Sequence, residues 1–391
     1  MTGFAGVETE GVDKGAMGLR IVLAGGGSGG HVYPALEILS ALMRSEPDLA
    51  VLYIGTRHGV EARIVPERQI PFVDIQAEGI LGRGLKQKVG AMKMAMYGFW
   101  QARRSLQRFD GEIVLATGGY VSGPVGMAAV TLGIPLVLQE QNVWPGVTNR
   151  MLARFARLVL TPYSESRNYF PRGTNIQVAP NPVAEPMTES PENLRRDMGL
   201  SLETKILMVT GGSQGAERIN QWMISLLPDF ITDPHYGLLW ATGPRYFDQV
   251  QRVIAEKKWE LDRNRIRIQP YFDAIAGSYR VSDLFLGRAG AMTIADCLSY
   301  RLPMILVPSP NVSEDHQTKN ARELEKAGAA VMILESDLGP KAKSQVFGLL
   351  DDADQRAFLS EQARPLYDRD AAPKMAEMVR EIYRKTRLER R

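Results

Sequence analysis

The chain predicts an α/β fold in which two doubly wound parallel-sheet domains face one another across a central cleft. Its 391 residues exceed what one typical core holds together. Short, nearly continuous apolar runs alternate with helical stretches, the pattern of parallel strands covered on both faces. Three times an apolar strand runs into a glycine turn and a helix start: LRIVLAGGGSGGHVYP at 19–34, IVLATGGYVSGP at 113–124 and KILMVTGGSQG at 205–215. Such a turn lets backbone N–H groups at a helix N-terminus approach an anion closely, so a phosphate is the expected cargo.

Taken in order, residues 1–18 carry acids and glycines without a basic, then apolar, leader pattern, and read as a disordered lead rather than a secretory signal. The first Rossmann-like domain is expected over 19–182, with further strands at 51–54, 72–75, 113–116, 136–138 and 158–160. The segment PNPVAEPMTESPEN at 180–193 has four prolines and no apolar periodicity, and reads as a hinge. The second domain, 183–365, repeats the plan with strands at 206–210, 238–240, 266–268, 284–286, 304–307 and 331–333. A last helix lies at about 368–391 and is basic at its end. In such folds ligands sit at the carboxyl ends of the strands.

Composition narrows the function. A hydrophobic content of 45% suits a globular chain, and a formal charge of +3 is too small to imply nucleic acid. Cys297 is the single cysteine, which excludes an intramolecular disulfide and a cysteine metal cage and fits a reducing compartment. His31, His58, His235 and His316 are dispersed, without metal-ligand spacing. No run of eighteen uncharged apolar residues exists. The stretch 79–109, however, has no Asp or Glu and includes Arg83, Lys86, Lys88, Lys93, Arg103, Arg104 and Arg108. Leu85, Val89, Met92, Met96 and Phe99 fall at helical steps beside Trp100. Such a helix either lies on an anionic membrane surface or packs on the core with a solvated basic side.

Candidate chemistry clusters at the turns. Gly25, Gly27 and Gly30 satisfy G-x-G-x-x-G, but the second strand ends Tyr53-Ile54-Gly55-Thr56-Arg57 without the acid that holds an NAD ribose. Arg57 would suit a 2′-phosphate, so NADP stays as an alternative. Ser213 in GGSQG serves either as a phosphate donor or as an ordinary N-cap. LFLGRAGAMTIAD at 284–296 is again strand, turn and helix start, able to stabilise a departing diphosphate, with Asp296 placed to accept from a ribose diol. His31 follows the first turn and is suited to proton transfer, or else to local hydrogen bonding. Asn142, Gln317 and Asn320 are polar residues in loops after strands, able to read hydroxyls or amides.

Seven sequence words together, GGGSGGHVYPAL, GGYVSGPV, LQEQNVWPGVTNRML, NPV, GGSQGA, GRAGAMTIAD and DHQTKNA, resemble the MurG family of peptidoglycan UDP-N-acetylglucosamine transferases, which are GT-B glycosyltransferases of family 28. Order and spacing match over about 19–380. The resemblance implies a UDP-GlcNAc donor held mainly by the second domain: Ser213 at its phosphates, the backbone of Phe272 at the uracil, Ala291, Met292, Thr293, Ile294, Ala295 and Asp296 at phosphates and ribose, and Gln317 at the sugar. Ser28, Gly29, Gly30 and Asn142 would reach the sugar from the first domain. Gly26, Gly27, Gly118, Gly119, Tyr120 and Ser122 would hold the diphosphate of lipid I, the acceptor. His31 would be the base for an inverting transfer to the C4 hydroxyl of MurNAc, giving lipid II, with no directly bound metal and no other cofactor. The resemblance further implies that the 79–109 helix is a membrane face on the cytoplasmic side of the cell membrane, that other cell-wall enzymes are partners, and that the last helix returns to the first domain. A hexose-transferring glycolipid synthase and an idle lipid-diphosphate-binding homologue are the alternatives. Two departures bear on the donor: Ala184 stands where the family commonly has arginine after NPV, and Asp296 where it has glutamate. Arg288 and Arg218 are the candidate replacements for the missing cation.

Overall fold

The computed structural model describes residues 18–79, 85–272 and 274–390. The expected disordered lead, Arg83 and the side chains of Leu85, Lys86, Lys88 and Val89 lie outside the described residues. Two parallel sheets form two Rossmann-like domains.

The first sheet alternates strands and helices: β1 (Arg20–Gly25), α1 (Gly29–Ser45), β2 (Ala50–Gly55), α2 (Glu61–Glu67), β3 (Phe72–Asp74), α3 (Leu85–Phe109), β4 (Ile113–Gly118), α4 (Ser122–Thr131), β5 (Leu136–Gln139), α5 (Val147–Leu152), β6 (Leu158–Thr161) and β7 (Ile176–Val178). Its strand order is β3-β2-β1-β4-β5-β6-β7. The connection runs outward to one side from β1 and to the other from β4. The reversal therefore falls between these two neighbours, and their carboxyl ends open a crevice. Both strands end in glycine turns. β1 is apolar from Ile21 to Ala24 because both its faces are covered: Ile21 and Leu23 join one buried cluster and Val22 and Ala24 the other.

The second sheet is built from α6 (Pro191–Asp197), β8 (Lys205–Thr210), α7 (Glu217–Thr232), β9 (Tyr236–Ala241), α8 (Pro244–Glu256), β10 (Ile266–Gln269), α9 (Ile275–Val281), β11 (Leu284–Gly287), α10 (Ala291–Ser299), β12 (Met304–Leu306), α11 (His316–Lys326), β13 (Ala330–Met332), α12 (Pro340–Asp351) and α13 (Ala353–Ala363). Its order is β10-β9-β8-β11-β12-β13, with the reversal between β8 and β11. The turns after these two strands are GGSQG and GRAG. Each domain thus presents two small-residue turns at its switch point.

The last helix, α14 (Ala371–Glu389), leaves the second domain and buries Ala372, Met375, Ala376 and Val379 in the core cluster beneath α1. Arg380 pairs with Glu46 at 3.2 Å and Arg157 with Glu389 at 3.0 Å. The linker is anchored too: buried Asn181 accepts from Gln139 Nε2 at 3.0 Å and donates to the Gln141 carbonyl at 2.9 Å.

The domains also touch through Asn320 of α11, which is fully buried. Its Oδ1 accepts from the Val143 amide at 3.0 Å, and its Nδ2 donates to Asn142 Oδ1 at 3.1 Å and to the Ala289 carbonyl at 3.3 Å. Beside it Lys319 Nζ sits 3.4 Å from the centroid of the Trp144 ring, and Arg150 pairs with Glu314.

A close backbone contact joins the two turns of the first domain. Gly119 has φ +77°, and a Cβ on it would lie 2.2 Å from the Gly26 carbonyl oxygen. A side chain is therefore excluded by both conformation and space. Gly119→Ala is expected to destabilise the protein by about 2 kcal/mol or more, read as a fall in the denaturant midpoint at unchanged slope.

Candidate active site

Between the domains lies a cleft of about 1880 Å³, lined from the first domain by the turns after β1 and β4 and from the second by the turn after β8 and the start of α10. His31, Gly118, Ser213, Asp296 and Gln317 all line it, although they come from distant parts of the sequence.

The first turn is held from behind by Glu61, a carboxylate with no exposed surface. Its Oε2 accepts from the Gly27 amide at 3.0 Å, and its Oε1 accepts from Thr56 N at 3.0 Å and Thr56 Oγ1 at 2.7 Å. The Gly27 amide is thus engaged within the domain. Ser122 is engaged likewise: fully buried, it accepts from the Gly118 amide at 3.1 Å and donates to the Gly118 carbonyl at 2.7 Å, shaping the second turn without facing the cleft. Ser28, Gly29, Gly30, Gly118, Gly119 and Tyr120 line the cleft itself, and the first three carry α1 amides without intrahelical partners.

His31 sits in the first turn of α1. Its Nδ1 lies 3.1 Å from the Gly26 carbonyl oxygen and 3.2 Å from Ser28 Oγ. A carbonyl only accepts, so that contact places the proton of a neutral imidazole on Nδ1 and leaves the lone pair on Nε2. The Nε2 edge faces Gly118, where a Cβ would come within 3.2 Å of it. Burial lowers the pKa of His31 and keeps it neutral near pH 7. Glu140 and, more weakly, Glu61 act in the opposite direction, while His316 lowers it further.

The loop after β5 is organised by Glu140, 2% exposed. One carboxylate oxygen accepts from Gln141 N, Asn142 N and Asn142 Nδ2 at 3.0 to 3.1 Å; the other accepts from Gly146 N at 3.0 Å and Asn149 Nδ2 at 2.8 Å. Asn142 reaches the cleft with both ends of its amide held, one by Glu140 and one by Asn320. Asn320 itself joins the domains rather than facing the cleft.

In the second domain Ser213 is exposed at the tip of its turn. The α10 start offers Ala291, Met292 and Thr293 to the cleft, whereas Ile294 and Ala295 are buried behind it at 1% and 5% exposure. Burial pushes Asp296 up to about 7, and Glu37, from α1 of the other domain, adds a smaller push in the same direction. Gln317 is oriented by the Ser309 amide, which donates to its Oε1 at 2.9 Å and leaves Nε2 available as a donor. The Phe272 ring packs among Leu194, Leu200, Leu239 and Val281, so only its backbone is left to meet a ligand.

Arg288 does not replace the cation missing at Ala184. Its guanidinium donates to the Val307 and Pro308 carbonyls at 3.2 and 3.1 Å and pairs with Glu335. Arg218 is exposed on α7 and is not among the cleft-lining residues.

The apolar stripe of α3 divides in two. Ala102 and Leu106 are fully buried and Phe99 packs against the core, while Met92, Met96 and Trp100, one turn apart, are 56%, 61% and 62% exposed. Met127 of α4, Met151 of α5 and Phe155 extend this exposed surface, and all six border the cleft. Sequence reading found the α3 part only, because the others are single residues on short helices. Glu61 was missed for a similar reason: nothing local marks a carboxylate that links Thr56, five residues away, to the Gly27 amide thirty-four residues away.

The glycosyltransferase family 28 N-terminal domain matches residues 21–161, and the family 28 C-terminal domain matches 206–373. A protein of Symbiobacterium thermophilum named UDP-N-acetylglucosamine-N-acetylmuramyl-(pentapeptide) pyrophosphoryl-undecaprenol N-acetylglucosamine transferase is 40% identical over 375 residues, 94% of this chain and 98% of that one. A relative of the same name from Desulfitobacterium hafniense is 38% identical, over 91% and 97% of the two chains. The crystal structure of Acinetobacter baumannii MurG superposes with a TM-score of 0.73 at 25% identity, covering 93% of this chain and 99% of that one. These matches span both domains in register with the cleft they enclose, and the chain belongs to glycosyltransferase family 28.

Proposed function

We propose that the protein transfers N-acetylglucosamine from UDP-GlcNAc to the C4 hydroxyl of the MurNAc unit of lipid I, forming lipid II for peptidoglycan. The observation that carries this reading is the cleft that brings His31 and the turns of the first domain opposite the Ser213 turn, the α10 start and Gln317 of the second. Relatives at 35 to 40% identity carry that transferase name, so transfer of hexose to diacylglycerol is not favoured.

The donor binds on the second domain. Amides at the α10 start and Ser213 take the diphosphate, Asp296 the ribose, the Phe272 backbone the uracil, and Gln317 Nε2 an acceptor oxygen on the sugar. The acceptor binds on the first domain, its diphosphate against Ser28, Gly29, Gly30, Gly118 and Gly119. His31 Nε2 removes the C4 proton as the hydroxyl attacks the anomeric carbon from the face opposite the departing UDP, which inverts that centre. The α10 N-terminus stabilises the charge that develops on UDP. The exposed surface of Met92, Met96, Trp100, Met127, Met151 and Phe155 rests on the membrane carrying the lipid, at its cytoplasmic face. Its basic border includes Lys93, Arg103, Arg104 and Arg154. Attachment through such a surface is peripheral, and no helix among the described residues is long and apolar enough to cross a membrane.

The deciding assay offers purified protein labelled UDP-GlcNAc, UDP-glucose or UDP-galactose with a short-chain lipid I analogue; transfer from UDP-GlcNAc alone is expected. His31→Ala is expected to lower kcat about 10²- to 10⁴-fold with the UDP dissociation constant unchanged, and kcat of the wild type to fall on the acid side as His31 is protonated. Asp296→Asn should weaken UDP binding about tenfold by calorimetry. Because the folded-state pKa of Asp296 is raised to about 7, its contribution to apo stability is present at low pH and is lost as pH rises through 7. The same variant should therefore melt above the wild type at pH 8 and not at pH 4. Trp100→Ser with Met96→Ser should reduce binding to vesicles containing anionic lipid, measured by sedimentation, with UDP affinity intact.

A further inference from the structure

Glu61 is wholly buried, touches no part of the cleft and nevertheless governs its floor. Three donors converge on its carboxylate: Gly27 N, Thr56 N and Thr56 Oγ1, at 3.0, 3.0 and 2.7 Å. The surrounding backbone is shaped to admit it. A Cβ on Gly26 would lie 2.4 Å from Oε1, one on Gly59 2.1 Å from Oε2, and one on Gly55 2.6 Å from Cγ. Three glycines thus clear the space that one carboxylate occupies. Thr56 Oγ1 in turn lies 3.4 Å from the hydroxyl of Tyr120, which lines the cleft from the second turn.

The consequence reaches His31 through the main chain. The Gly27 amide and the Gly26 carbonyl are the two sides of adjoining residues in one turn. Glu61 fixes the first, and the second accepts from His31 Nδ1 at 3.1 Å. We infer that Glu61 is a positioning residue for the transfer reaction: by pinning Gly27 it holds the Gly26 carbonyl where it fixes the His31 ring and tautomer, with Nε2 free for the acceptor hydroxyl. Its negative charge also favours the imidazolium that forms when His31 takes the proton. The charged or titratable groups acting on the imidazole are Glu140 from the loop after β5, Glu61 from α2 and His316 from α11. A carboxylate that served only to plug the turn would affect folding or ligand binding but would leave the proton-transfer step of the folded enzyme unchanged.

This inference rests on His31 as the base, and the experiment keeps the two apart. Glu61→Gln, His31→Ala and the wild type are compared in full-length protein for UDP dissociation constant, kcat, KM for a short-chain lipid I analogue and the pH profile of kcat. Glu61→Gln keeps the side-chain size but removes the charge and one acceptor. It is expected to bind UDP within twofold of the wild type, to lose at least tenfold in kcat with a smaller change in KM, and to show its acid limb displaced to lower pH. Wild-type kcat and an unmoved limb, or a loss confined to KM, overturn the inference. If His31→Ala retains the wild-type limb, it is the base assignment that fails, whatever Glu61→Gln does. Should Glu61→Gln fold poorly, Thr56→Val removes one donor while keeping the charge: a several-fold loss of kcat with the limb in place supports the role, and wild-type kcat overturns it.

Discussion

The contact between the backbones of Gly26 and Gly119 sets the geometry of the acceptor side. β1 and β4 are neighbouring parallel strands, and their register slips by one residue at the end, where Gly25 pairs with Gly118. The chain must then turn away from both strands within a few residues, at the same level and toward each other. Only glycine lets one turn cross over the other with a carbonyl oxygen 2.2 Å from where a Cβ would stand. That closeness sets the first amides of α1 and the second turn side by side, as an anion requires. It also brings His31 against Gly118, so the proposed proton acceptor and the proposed anion-binding backbone share one base.

The second domain meets this floor with the same topology and a different content. Its switch point presents an exposed serine turn and a helix start, and it meets the first domain through the Asn320 amide, the Lys319–Trp144 contact and the Arg150–Glu314 pair. Asn320 ties Val143, Asn142 and Ala289 together in one buried cluster. Glu140 fixes the same loop from below through five donors. The amide of Asn142 is thus held at one end by its own domain and at the other by the second, so its orientation at the cleft depends on both.

What could be read from the sequence follows from how local each signal is. Strands buried on both faces are written as continuous apolar runs, and all of the runs at 51–54, 72–75, 113–116, 136–138, 158–160, 206–210, 238–240, 266–268, 284–286, 304–307 and 331–333 overlap strands of the two sheets; β7, short and at the sheet edge with Gln177 and Val178 exposed, has no such run. Glycine turns are equally local. Side-chain commitments are not. Whether Ser122 faces a ligand or its own turn, whether Arg288 is available or spent on Glu335, and whether Asn320 reads a sugar or joins two domains all depend on partners that only the folded chain brings near. The α3 stripe lies between these cases. Its period was visible, but which apolar residues face the core and which face outward depends on the helix rotation, set by Gly98 packing on the Gln76 carbonyl and by Ala102 and Leu106.

The charge balance of the cleft explains why these commitments matter. Glu37, Glu78, Glu140, Glu185, Asp296 and Glu314 line it against the cations Arg68, which pairs with Glu37, and Arg154, while Arg288 is consumed by Glu335. In the proposed reaction a diphosphate entering such a site is received largely by helix starts and turn amides, each interaction of a helix end with charge being worth about 0.3 to 2 kcal/mol. Acids near a departing diphosphate would oppose it if they acted alone. Asp296 relieves part of that opposition, because burial holds it about half protonated near pH 7. Glu140 and Glu61 act on the other partner in the reaction. Burial keeps His31 uncharged near pH 7, and under the proposed base role the two carboxylates would favour the protonated ring once the hydroxyl gives up its proton. In the proposed transfer Glu140 and Glu61, which act on His31, favour the cation formed there, whereas Glu37 acts on Asp296 in α10 and helps keep that carboxyl protonated.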